Sequence, residues 1–254
     1  MDDLVRADTE GPVLTLTLNR PDRRNPLSLE MIEALRARLA DTGDAAVVIL
    51  ASTGPAFCAG HDLREMSGRD GDFYEELFAA CGRLMMDIHA LGAPVVARVQ
   101  GVATAAGCQL VAACDLVVAS AGATFATPGV RIGLFCTTPM VEVARAVGRK
   151  RAMEMLLTGD PITAEVAAGW GLVNRVVPPE ELVEATAALA LRIASASPAV
   201  LRIGKRAFHA NLDLPVADAY DHAAAVMAAN AADDDAQEGF AAFLEKRDPT
   251  WRGR

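Results

Sequence analysis

The sequence predicts an α/β fold with largely parallel sheets. Short runs rich in valine, isoleucine and leucine recur at residues 13–18, 46–51, 95–99 and 116–119, each bounded by turn residues. Stretches with apolar residues at helical spacing separate these runs, and the run at 46–51 is apolar throughout. Strands alternating with helices make βαβ units, and a strand apolar on both faces needs helices on both sides of its sheet.

Taken in order, Val13-Leu-Thr-Leu-Thr-Leu18 alternates with the period of a half-buried strand. Pro21 to Pro26, with Arg23 and Arg24 between, break the pattern into a polar turn. A helix over 28–40 follows, with Leu29, Ile32, Leu35 and Leu39 on one stripe. The buried strand at 46–51, closed by Thr53-Gly-Pro55, feeds the loop Phe57-Cys-Ala-Gly-His-Asp-Leu63. Next come a helix over 73–91, a strand at 95–99, a turn and short helix over 101–113, and a strand at 116–119. Thr163 and Ser197-Pro198 suit helix starts, through a side-chain cap and through proline in the first turn. From about Pro178 the chain reads as helices only, the last beginning at Asp233-Asp-Asp-Ala-Gln-Glu238. Carboxylates there suit the positive end of the helix dipole, so a solvated helix start is expected rather than a metal site.

At 254 residues, 52% hydrophobic and 22% charged, the chain can fill a substantial core. A net charge of −9 excludes nucleic acid or an anionic membrane as the main partner, because such binding needs a dense cationic footprint. Any anionic ligand must therefore be held by a local cluster. Five cysteines (Cys58, Cys81, Cys108, Cys114, Cys136) without C-x-x-C spacing suggest neither a disulfide framework nor a zinc site. They fit a reducing cytosol, and the start Met-Asp-Asp-Leu-Val-Arg reads as neither a secretory nor a transit leader. A cytoplasmic protein is expected.

Two loops carry the chemistry: Phe57-Cys-Ala-Gly-His-Asp-Leu63 and Gly101-Val-Ala-Thr-Ala-Ala-Gly-Cys-Gln-Leu110 each deliver a free backbone N–H where a small turn meets a helix. Together with Cys114-Asp115-Leu116 and Thr127-Pro-Gly-Val-Arg-Ile-Gly133, they resemble the enoyl-CoA hydratase/isomerase (crotonase) superfamily, from about Leu14 to Trp251. The Ala-Gly-His-Asp form is also similar to the superfamily's methylmalonyl-CoA decarboxylases. Cys108-Gln109-Leu110, Phe125-Ala-Thr-Pro-Gly129 and Gly133-Leu-Phe-Cys136 are most similar to a subgroup named enoyl-CoA hydratase domain-containing protein 3.

The resemblance implies a crotonase (ClpP-like) spiral of ββα turns over residues 1–196. It also implies a helical region over 197–254 that packs between subunits of a homotrimer or dimer of trimers. The backbone N–H groups of His61 and Ala106 would form an oxyanion hole for the thioester of an acyl-CoA. Donors placed where enolate charge develops are worth on the order of 10²–10³ in rate each. The His61 side chain, with an ordinary pKa near 6.5, is either a proton donor or a bystander to its own backbone.

The family's hydratases carry glutamates where this chain has Gln109 and Gly129. Glutamine can hold a water but cannot take its proton, and glycine offers no side chain. Asp62, Glu65, Glu142, His89 and Cys136 lie in or near segments that line the pocket by analogy. Each has an ordinary role to fill: Asp62 as a cap or CoA-loop residue, Glu65 and Glu142 as solvated helix residues, His89 at a helix end, Cys136 as a pocket wall. For CoA itself, Arg23 and Arg24 are candidate phosphate partners. Backbone atoms of Ala59, His61, Asp62 and Leu63 would hold the adenine, while Phe243 and Lys246 match the family's CoA-contacting ending. Coenzyme A is then part of the substrate and no resident cofactor is implied. An enoyl-CoA hydratase/isomerase-like enzyme with weak ordinary hydration is expected; the alternatives are a malonyl-type decarboxylase and an inactive acyl-CoA-binding protein.

Overall fold

A computed structural model describes residues 3–253; the first two residues of the segment read for a leader, and Arg254, lie outside it. The leucine–threonine alternation becomes β2 (Val13–Leu18), which pairs antiparallel with β1 (Val5–Glu10). Beyond Val5, β1 is exposed and lacks an apolar pattern, so the sequence does not announce it. Ser28 caps α1 (Leu29–Ala40) by accepting from Met31 N, and Ile32, Leu35 and Leu39 are buried as the stripe predicts.

A long strand, a short strand and a helix then recur. The first turn is β3 (Val47–Ser52), β4 (Ala56–Cys58), a one-turn α2 (Leu63–Met66) and α3 (Gly71–Ala90). The second is β5 (Val95–Val99), β6 (Val102–Thr104) and α4 (Ala106–Ala113). The third is β7 (Leu116–Ser120), β8 (Thr124–Ala126) and α5 (Pro139–Val147), followed by α6 (Arg149–Thr158). The short β9 (Ile162–Thr163), α7 (Ala164–Trp170), β10 (Arg175–Val177) and α8 (Leu182–Ala194) complete the spiral. Long strands form a six-stranded sheet in the order β1-β2-β3-β5-β7-β10, and short ones a four-stranded sheet, β4-β6-β8-β9. All neighbours run parallel except β1 with β2 and β8 with β9. This is the predicted α/β spiral of ββα turns.

Both faces of the large sheet are covered, which accounts for the unbroken apolar run in β3. On one face Leu16, Leu18, Leu50 and Ala97 pack with Leu35, Leu77 and Leu84 from α1 and α3. On the other, Val47, Ile49, Val96 and Val118 meet Leu182, Leu189 and Ala190 of α8. Beyond the sheets lie α9 (Pro198–Asn211), α10 (Val216–Ala231) and α11 (Asp234–Glu245). Lys205 pins α9 to the spiral, its buried ammonium donating to Ile88 O at 2.8 Å and Ala93 O at 3.1 Å and pairing with Asp115 at 2.7 Å. In contrast, α10 buries none of its residues.

One expectation at this end needs correcting. The acidic start of α11 is not wholly solvated: Asp235 is buried and accepts from Ser197 Oγ, Arg252 N and Gly253 N. Those bonds hold its carboxyl below the usual range and tie the chain's end back to the α8–α9 junction.

Candidate active site

The turn before α1 positions the first loop. Arg24 and Asn25 take positive φ values of 62° and 52°, a region where asparagine is enriched among side chains bearing a Cβ. The buried Asn25 amide donates to Thr53 O at 2.8 Å and Ala56 O at 3.0 Å, and its Oδ1 accepts from Arg20 N at 2.8 Å. On this fixed turn, Ala59 N donates to Arg24 O at 3.0 Å and Leu27 N to Gly60 O at 2.8 Å. Asp62 then caps α2 by accepting from Arg64 N at 3.0 Å and lies 3.5 Å from Arg23 Nη1.

The second loop is strained at Ala105, with φ 51° and ψ −119°. Such a backbone costs a residue with a Cβ on the order of 1–3 kcal/mol. Its N–H donates to Ala126 O at 2.9 Å, and the next residue, Ala106, opens α4, so the Ala106 N–H lies ahead of the intrahelical ladder. The two loops meet at Gly60. At φ +87° this residue leaves no room for a side chain: a Cβ would stand 2.9 Å from Ala105 Cβ and 3.4 Å from Ala106 N. Among the described loop and cap hydrogen bonds, neither the His61 nor the Ala106 N–H has an acceptor. Both residues line one cavity of about 380 Å³.

The cavity is walled mainly by apolar side chains, with Phe78 from α3 and Ile132, Leu134 and Phe135 from the segment between β8 and α5. Ala59, Leu63 and Cys136 also line it. Phe78 was not legible as a site residue, because on an amphipathic helix it reads as core. His61 stands edge-on to Phe78 with ring centroids 5.4 Å apart. Its Nδ1 lies 3.0 Å from Leu27 O, an obligate acceptor, which assigns the proton to Nδ1. Burial pushes the imidazole below its ordinary pKa, against a smaller opposing effect of that hydrogen bond.

The two positions matched to glutamates differ. Gly129 lines the cavity, yet a Cβ there would fall 2.0 Å from Leu134 O and 2.8 Å from Cys136 Sγ. Its φ lies outside the left-handed region, so the obstacle to a side chain is a carbonyl and not backbone strain. Gln109 is buried and is absent from the lining, its Oε1 lying 3.9 Å from Cys81 Sγ.

Several sequence-derived candidates belong elsewhere. Glu65 ties α2 to α1 by accepting from Leu29 N at 3.1 Å. Glu142 and His89, expected at solvated or helix-end positions, face each other at 3.4 Å with Glu142 buried. His89 also stacks on His209 at 4.5 Å, and the pair lines a separate cleft with Asp115 and Lys205. α5 packs on α4 and α6 and in doing so brings Glu142 against His89 of α3, which its local sequence does not reveal. Arg23, Arg24, Asp62, Phe243 and Lys246 are all outside the cavity lining; Phe243 is 84% exposed and Lys246 ends α11 in a left-handed turn.

Comparison with known proteins gives the same assignment. A family model described as Enoyl-CoA hydratase/isomerase matches residues 8–254. The human protein named enoyl-CoA hydratase domain-containing protein 3, mitochondrial, is 46% identical over 243 residues, covering 94% of this chain and 80% of that protein. The crystal structure of the human protein superposes with a TM-score of 0.95 over 98% of this chain and 100% of that one. An enoyl-CoA hydratase structure from Mycobacterium smegmatis is 48% identical with a TM-score of 0.95, covering 98% of both chains. The 2,3-dehydroadipyl-CoA hydratase of Escherichia coli is 35% identical, over 95% of this chain and 96% of its own.

The cytoplasmic expectation is overturned by the same comparison, since the rat, zebrafish, human, mouse and Xenopus relatives are all named mitochondrial. Reduced cysteines do not distinguish one reducing compartment from another, and that is why composition misled. With family model, relatives and superposed structures agreeing over nearly the whole chain, the protein belongs to the enoyl-CoA hydratase/isomerase family.

Proposed function

We propose that the cavity binds an acyl-CoA thioester with its carbonyl oxygen between the N–H groups of His61 and Ala106, and that the protein stabilises the enolate-like state of that thioester. The observation that carries this reading is the contact at Gly60, which brings two backbone N–H groups without acceptors onto one cavity wall. Donors held by the fold need no reorganisation when charge develops on the oxygen.

Ordinary hydration is weak in this reading. Adding water across a conjugated double bond needs one group to deprotonate water and another to handle the α-proton, and no carboxylate is among the described lining residues. The wall fits an apolar acyl chain better than a malonyl-type substrate. Arg131, the one cation among the described lining residues, already donates to Thr158 O and pairs with Asp160, so its charge is matched before a substrate carboxylate arrives.

Phe243 and Lys246, outside the cavity lining, would serve a CoA in an assembly, as a homotrimer or dimer of trimers would provide. Light scattering tests that part, and a monomer near 26.7 kDa would remove it. For the site itself, calorimetric titration with a saturated acyl-CoA is expected to show one binding event per chain. No binding at any chain length would overturn the reading.

A further inference from the structure

The two N–H groups on the cavity wall are held in different ways. Ala106 opens α4, and the residue before it is tied to β8 by the bond from Ala105 N to Ala126 O. His61 has no such element under it, because it lies between β4 and the single turn of α2. Residues 24–27 hold it instead. Ala59 N donates to Arg24 O at 3.0 Å and Leu27 N to Gly60 O at 2.8 Å. Leu27 and His61 then pair as a parallel bridge, which the imidazole closes with its own bond to Leu27 O. Where the His61 N–H points is therefore decided by where residues 24–27 lie.

That segment is fixed in turn by one side chain. Asn25 is fully buried, and it closes its turn twice: its N–H donates to Arg20 O at 2.9 Å while its Oδ1 accepts from Arg20 N at 2.8 Å. Its two amide hydrogens go to Thr53 O, just past β3, and to Ala56 O, at the start of β4. A side-chain amide carries an acceptor and two donors on one rigid plane, and this site uses all three. Asn25 itself is not among the described residues that line the cavity.

We propose that Asn25 is a positioning residue of this site: its amide sets the orientation of the His61 N–H toward the thioester oxygen without touching the ligand. The inference rests on the acyl-CoA reading above and adds the residue on which one of its two donors depends. A hydrogen bond weakens steeply once its donor angle falls from 150° toward about 120°, so turning the Gly60–His61 peptide by roughly 30° is enough to lose most of that bond. The thioester oxygen is then less polarised, while the acyl chain keeps its apolar wall. Loss of the amide is therefore read at the carbonyl more strongly than in affinity.

The fold does not rest on Asn25 alone. Ala56 O also accepts from Ser52 Oγ and Gln100 Nε2, both at 3.2 Å. Glycine adopts the φ of 52° at this position without strain, and water can enter a vacated polar space. Asn25→Gly thus removes the amide and keeps the turn. Asn25→Asp keeps the acceptor and sets an oxygen against two carbonyls.

The test is infrared difference spectroscopy of hexanoyl-CoA labelled with carbon-13 at its carbonyl, bound to the unaltered protein, to both Asn25 variants and to Leu189→Ala. Leu189 lies in the core under α8, on the other face of the large sheet, and serves as a destabilised control. Calorimetry gives affinity and melting curves give folding. In the unaltered protein the carbonyl band is expected at lower frequency than in water. Both Asn25 variants are expected to lose most of that shift while affinity falls by no more than about tenfold, the worth of one hydrogen bond. Leu189→Ala is expected to keep the shift. A parental shift in a folded Asn25 variant would overturn the proposal, and so would loss of the shift in Leu189→Ala, which would trace it to stability. Unfolding of both Asn25 variants would show that the residue serves the fold as a whole and would overturn it too. Failures of the parent are distinct: binding without a band shift removes the oxyanion hole and this inference but leaves acyl-CoA binding, whereas no binding removes the whole reading.

Discussion

The two sides of the cavity are built differently. On the side of the paired N–H groups, backbone packs on backbone: Gly60 touches Ala105, and a Cβ on Gly107 would stand 2.3 Å from Cys58 O. On the opposite side, the segment from Pro128 to Pro139 presents apolar side chains that stay partly open, with Ile132 60% and Leu134 42% exposed. The difference teaches where tolerance lies. Charge stabilisation depends on sub-ångström placement of donors, whereas an apolar chain needs only volume, and each methylene of mismatch is worth roughly 1–3 kcal/mol.

The largest effect is expected on the rigid side. Gly107→Val must displace α4 from the β4 loop, because the clash is with a main-chain carbonyl and cannot be relieved by a rotamer. A loss of about 3 kcal/mol in urea unfolding is expected, with acyl-CoA binding lost at the same time. Stability and binding near parental values would show that the turn side is as forgiving as the wall.

Next comes the attempt to restore hydratase chemistry. Gly129→Glu forces a Cβ against Leu134 O, so about 1–3 kcal/mol of stability is expected to go without any gain in crotonyl-CoA hydration. Gln109→Glu folds but gains nothing alone, since that side chain lies outside the lining. Steady-state hydration assays of both variants and of the double variant test this. Two-glutamate turnover in the double variant would show that the wall rearranges to admit a carboxylate.

The smallest effect is expected on the open wall. Ile132→Ala, at a 60% exposed position, should change stability by less than about 1 kcal/mol and weaken hexanoyl-CoA binding by up to about tenfold while sparing acetyl-CoA. Calorimetry with both thioesters reads the contrast. Equal weakening of both would mean that the residue contacts the CoA portion rather than the acyl chain.

Much of this was legible before the structure. The helix stripe from Ile32 to Leu39, the strand from Val95 to Val99 and the caps at Thr163 and Ser197 depend on local periodicity and local hydrogen bonds, which sequence carries directly. The two loops were legible for the same reason, as glycines and small residues ahead of helix starts. The reading that Gln109 and Gly129 stand where the family's hydratases carry glutamates rested on residue identity alone.

What tertiary structure decided was how distant segments meet. Nothing near residue 129 says that Leu134 O occupies the space of a side chain there, or that Gln109 turns toward Cys81. Glu142 looks like a solvated helix residue until α5 places it against His89. The state of His61 follows from Leu27 O, a carbonyl 34 residues away that assigns its tautomer, and from the burial that lowers its pKa. Sequence determined which groups the protein possesses and which local elements they sit on. The fold decided which of them share a cavity, because charge state, tautomer and available volume are properties of contacts between segments, and a local pattern does not encode them.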